Sequence, residues 1–143
     1  RAWVDLTILN IADNAFSGSI VTPVSWSNIV TLDFSNNSLT SITGSVEGYT
    51  SMTSCNLSGN AVSSQSEIDS ILSKCVTNAA LRPATPCTLS LDGAGMAEPS
   101  AAGMSDANTL IDTYGWTVTH EGEPEPDRFS FINIRNIIST ISN

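Results

Sequence analysis

Positive charge is scarce in this chain, with 5 Lys and Arg against 14 Asp and Glu and a formal net charge of −9. Nucleic-acid binding relies on cations that neutralise phosphates, so this balance excludes it as a main role and disfavours anionic membrane surfaces as well. No run of 18 apolar residues occurs, which excludes a spanning helix built on such a run. Histidine is limited to His120, and the spacings of the three cysteines fit no zinc site, so no metal or other cofactor is expected. Leu91-Asp-Gly-Ala-Gly-Met96 lacks the Lys and the spacing of a phosphate loop. His120 beside Glu121 has no Ser or Cys nucleophile that the sequence places next to it, and it reads as an exposed residue at a strand end. No enzyme is expected. Low charge (13%) with abundant Ser, Thr and Asn fits surface and secreted proteins.

What is present is a repeat. Leu6-x-x-Leu9-x-Ile11-x-x-Asn14-x-Phe16 returns as Ile29-x-x-Leu32-x-Phe34-x-x-Asn37-x-Leu39, and again as Met52-x-x-Cys55-x-Leu57-x-x-Asn60-x-Val62. The interval is 23 residues each time, and Trp3, Trp26 and Tyr49 add a further column in the same register, read as core. The period of two within Leu9-x-Ile11, Leu32-x-Phe34 and Cys55-x-Leu57 predicts very short strands with alternate side chains inward. Such strands bury their apolar side only by stacking side by side. Asn14, Asn37 and Asn60 fall where the chain leaves the strand, and a buried carboxamide there satisfies its own turn and the backbone of the next repeat.

These residues resemble the leucine-rich-repeat family over about residues 3–120. The stretch Leu6-Thr-Ile-Leu-Asn-Ile-Ala-Asp-Asn-Ala-Phe-Ser-Gly-Ser-Ile20 is most similar to its extracellular and bacterial-surface branches. The resemblance implies an α/β solenoid with short parallel strands on its concave face. Ser64-x-x-Glu67 followed by Ile68, Ile71, Leu72 and Cys75 predicts a helix over about 64–75, with 76–86 as a loop. Leu89-x-Leu91 restores the strand pattern, and Ala94 stands where the ladder asparagine would be. Ser100 to Gly115 predicts a second helix at about 100–114, both helices lying on the convex side, and Trp116-x-Val118 predicts the last edge strand. Pro99-Ser-Ala-Ala-Gly-Met104, Thr109-Leu110 and Gly115-Trp-Thr-Val-Thr119 resemble the C-terminal cap of leucine-rich repeats in bacteriophage structural proteins and bacterial surface proteins.

Three segments are therefore expected. Residues 1–120 form the repeat domain with its cap, and 121–128 an acidic, Pro-containing linker. Residues 129–143 open an incomplete β module, since Phe129-Ser-Phe131-Ile-Asn-Ile134 reads as a strand. The chain starts at Arg1 with Trp3 already in a repeat column, so it is expected to be a piece of a longer protein. Cys55 takes an inward position and reads as a buried thiol. Cys75 and Cys87 bracket the loop and either pair as a disulfide or, in a reducing compartment, stay free.

The strand residues that point away from the core are Ile8, Asn10 and Ala12, then Thr31, Asp33 and Ser35, then Ser54, Asn56 and Ser58, then Thr88, Ser90 and Asp92. They make a small, polar, lightly acidic surface without aromatic anchors. The expected role is a non-enzymatic protein–protein contact or structural module of an extracellular or virion assembly of phage tail, fibre or decoration type, including host attachment. The alternative is a cell-surface adhesin or receptor fragment. Its partners are expected to be neighbouring protein subunits or a surface glycan, with no membrane insertion.

Overall fold

The computed structural model describes residues 3–83 and 85–122. The expected linker beyond 122 and the module at 129–143 lie outside the described residues. The fold is mixed α/β. Strands β1 (Ile8–Asn10), β3 (Thr31–Asp33), β5 (Ser54–Asn56), β6 (Thr88–Leu91) and β7 (Thr117–His120) form one parallel sheet in that order. Its register follows the repeat, with Leu9 opposite Leu32 and Leu32 opposite Cys55. Beyond the regular repeats the inward column continues through Leu89 and Val118.

A second, two-stranded parallel sheet pairs β2 (Ser17–Thr22) with β4 (Ser38–Gly44), also one repeat apart. This pairing leaves no periodicity in the sequence. Ser-Gly-Ser-Ile-Val-Thr carries little apolar signal, and the pairing slips between Gly18 and Ser19. Gly44 sits at φ +115, and a Cβ there would run into the backbone of Thr22. The close approach of the two strands therefore requires glycine at that end.

Helix α1 spans Gln65–Leu81 and α2 spans Ala101–Tyr114. Both start at the predicted caps. Ser64 Oγ accepts from the Glu67 amide at 3.4 Å, and Ser100 Oγ accepts from Ala102 and Gly103. Ser100 is itself held by Asp69 of α1, through its amide at 2.9 Å and its hydroxyl at 2.5 Å. Gly115 closes α2 at φ +68. α1 runs six residues past the predicted end at Cys75. Asn78 and Ala79 continue its buried face, Lys74 Nζ and Asn78 Nδ2 donate to Gly44 O and Val46 O, and only Arg82-Pro83 stops it.

Leu32, Phe34, Tyr49, Leu57, Leu72 and Leu110 are fully buried in one core shared by the sheet and both helices. The first repeat is less covered than its pattern implied. Leu6, Leu9 and Ile11 are only partly buried, Phe16 is 50% exposed and Trp3 is 64% exposed. The expectation that Trp3 is core is therefore corrected. Trp26 is partly buried and Tyr49 completely, so burial in that column rises with the number of repeats stacked on it.

Candidate functional site

Two of the three asparagines, Asn37 and Asn60, link neighbouring repeats, and they reach backward along the chain. Asn37 Nδ2 lies 3.0 Å from both Phe34 O and Ile11 O, while its Oδ1 accepts from the Phe16 amide at 3.1 Å. Asn60 repeats the pattern one unit later, with Nδ2 at 2.9 Å from Leu57 O and 3.0 Å from Phe34 O, and Oδ1 accepting from Leu39. Each carboxamide thus binds the preceding repeat rather than the next one, because the strand end it closes sits beside the earlier turn. Asn14 keeps only the local bonds, to Ile11 O and Ala12 O, and is exposed. The residue before each asparagine, Asp13, Asn36 or Gly59, has positive φ (56, 53 and 64), and Asn36 Nδ2 donates to Asp13 Oδ1 at 2.9 Å.

On the outward side of the five-stranded sheet, Ile8, Thr31, Ser54 and Thr88 form one column, and Thr117 extends it. Asn10, Asp33, Asn56 and Ser90 form the next, extended by Thr119. Thr117 and Thr119 are additions to the candidate face, and the alternation around Trp116-x-Val118 already placed them outward. Many of the acceptors on this face are used internally. Asp33 Oδ1 accepts from the Ser35 amide at 3.0 Å and its hydroxyl at 2.6 Å. Asn56 Oδ1 does the same with Ser58, and Asn10 Oδ1 accepts from the Ala12 amide. Asp92 Oδ1 accepts from Thr119 Oγ1 at 3.1 Å. The polar groups are therefore held in place, which reduces the ordering cost of contact. Ser35 is only 4% exposed and belongs beneath this surface, a correction to its expected place on it.

All three cysteines are buried free thiols. Of the two states expected for Cys75 and Cys87, bridged or free, the structure has the free one. Burial pushes all three thiols up, Cys87 to about 11, where Arg82 offsets part of the effect. A thiol held neutral by burial stabilises the fold fully below its unfolded value of 9.0, and that contribution is lost as pH rises from 9.0 towards 11. Melting temperature should accordingly fall across that window in a series of melts, with a shallower slope in Cys87→Ala. The thiols should also resist an aqueous disulfide reagent in the folded chain and react once denatured.

Arg82 is buried, with Nε donating to Asn78 Oδ1 at 2.6 Å and its guanidinium carbon 5.3 Å from the Trp116 ring centre. His120 is 7% exposed and its Nδ1 lies 2.8 Å from Glu121 O, which corrects the exposed position expected for it. Glu121 in turn accepts from the Gly93 amide at 2.6 Å, so this pair ties the last strand to the turn after β6. A cavity of about 70 Å³ between β4 and α1, lined by Leu32, Ile42, Leu57, Ile71 and Lys74, is smaller than a typical small-molecule site. No group of His, Cys, Asp or Glu among the described residues is arranged to hold a metal ion. No helix among them is long and apolar enough to cross a membrane.

The 23-residue register, the parallel strands and the asparagine bonds centre on the second repeat, whose residues also match a known family. Residues 28–48 match the model of the Leucine Rich Repeat. The match covers the strand Thr31–Asp33, Asn37 and all of β4, elements that carry inter-repeat bonds. A mixed α/β fold of parallel strands with two helices is compatible with a leucine-rich-repeat type of architecture. No curated protein and no solved structure matches the chain. Leucine-rich repeats point to protein–protein interaction and therefore to protein partners.

Proposed function

We propose that this chain is a non-enzymatic contact module, built as a leucine-rich-repeat solenoid whose concave face is the outward side of the five-stranded sheet. The carrying observation is that face itself: apart from Ile8 at one end, two columns of small polar side chains continue across the strands, and hydrogen bonds to neighbouring backbone and hydroxyls fix several of them. A rigid surface of small side chains admits a partner close to the strand backbones. Its lack of aromatic anchors favours a broad contact of the kind repeated many times in an assembly over one tight hot spot. The setting that fits best is an extracellular or virion assembly of phage tail, fibre or decoration type, with the module contacting neighbouring subunits or the host surface. The resemblance of residues 99–119 to caps of phage and bacterial-surface repeats supports this setting.

The test compares binding of labelled chain to assembled particles and to host cells. Thr31→Arg/Ser54→Arg/Thr88→Arg should reduce binding at least tenfold, while Thr77→Arg on the exposed side of α1 should leave it unchanged. Equal binding by both variants would remove the sheet face from the contact. Capsid and tail genes beside the reading frame would support the virion setting, and a frame among cell-envelope genes would contradict it.

A further inference from the structure

The side of the first repeat that faces away from the second has the features of an internal interface with one partner missing. Between repeats, each asparagine makes two local bonds and two bonds to the repeat before it. Asn14 makes the local pair alone. Its Oδ1 corresponds to the atom that accepts from Phe16 in Asn37 and from Leu39 in Asn60, and no donor reaches it among the described residues. The backbone shows the same pattern. Ser38 N donates to Phe16 O at 2.8 Å and Ala61 N to Leu39 O at 2.8 Å, whereas the equivalent Ala15 N finds no such carbonyl there. β1 and β2 are each the edge strand of their sheet on this one side.

The apolar surface agrees with the hydrogen bonds. Trp3 is 64% exposed and Phe16 50%, while among their equivalents Trp26 is partly buried and Tyr49, Leu39 and Val62 are at most 2% exposed. Val21 and Val24 add further exposed apolar surface. Exposed apolar side chains bordered by open edge strands mark an interaction surface.

We infer that this face receives one further repeat of the same kind, a 23-residue turn of chain bearing the apolar column and lying parallel to β1 and β2. The register of the two existing interfaces specifies the occupant. Parallel pairing at both edges, with a backbone N–H delivered to Asn14 Oδ1, reproduces the contact between repeats one and two. A second copy related by a two-fold axis would pair the edges antiparallel and would set Asn14 against Asn14. The inference concerns the end of the stack and is independent of what the outward sheet face binds.

The experiment appends a duplicate of residues 24–46 directly before Arg1 in the full chain, with a scrambled duplicate as control. The added repeat should raise the melting temperature by about 5 °C or more over the scrambled form, because stability in such arrays grows with each interface. Emission attributable to Trp3, isolated with Trp26→Phe/Trp116→Phe in both forms and with the tryptophan of each appended segment also changed to Phe, should shift to the blue. Asn14→Ala should be mild in the chain 1–143 and as damaging as Asn37→Ala in the extended one. An extension no more stable than the scrambled control, or an Asn14→Ala effect that stays mild, would overturn the inference. So would a parent chain whose sedimentation shows a dimer that the added repeat abolishes, since the occupant would then be a second copy.

Discussion

Asn37→Ala should lower stability by about 3 kcal/mol or more, because it strips partners from the Phe16 amide and from the carbonyls of Ile11 and Phe34 together. Leaving several buried backbone groups unpaired costs far more than losing one exposed contact, and nothing of alanine's size replaces them. Asn36→Ala is the informative neighbour. It loses one bond to Asp13 and puts alanine at φ 53, where an L side chain with no polar group costs about 1–2 kcal/mol. Paired thermal or urea melts of the two variants measure the difference. Equal losses would place the ladder in the wrong column.

Phe34→Ala should cost about 3–5 kcal/mol, the range for truncating a fully buried aromatic in a core that cannot collapse around the gap. Phe34 follows β3 in the inward column and is surrounded by core on both sides of its repeat, while its carbonyl also accepts from Asn37 and Asn60. Ile11 holds the equivalent place in the first repeat but is only partly buried. Ile11→Ala should therefore cost less than half as much in the same urea titration. A similar cost at both positions would show that the first repeat is as well packed as the second.

The repeat register was readable because one side-chain column at a fixed interval controls strand position, inward facing and turn placement at once. Leu9, Leu32 and Cys55 had no other consistent arrangement. The starts of both helices were readable because Ser64 and Ser100 combine a capping side chain with an apolar stripe after it. The end of α1 was not, since Val76-Thr77-Asn78 carries weak helix propensity, and the bonds from Lys74 and Asn78 to the turn at Gly44–Glu47 that favour helix are long-range. The β2–β4 sheet was hidden for a related reason: its Ser and Thr side chains show no alternation, and backbone pairing holds it. Within the candidate face, the outward columns followed from alternation. The burial of Ser35 did not: Ser58 makes the same bonds to Asn56 and stays partly exposed, so neither alternation nor the local bonds decide the cover. The exposure of Trp3 and Phe16 was missed because column membership fixes where a residue points and not whether anything covers it.

The most direct test of the central claim is the amide-exchange footprint of the full chain bound to the particle or cell surface that retains it. Contact through the outward sheet face predicts slowed exchange confined to segments 31–35, 54–58 and 88–92, with α1 and α2 exchanging as they do in the free chain. Slowing concentrated on the exposed surfaces of α1 and α2, with those three segments unchanged, would contradict it.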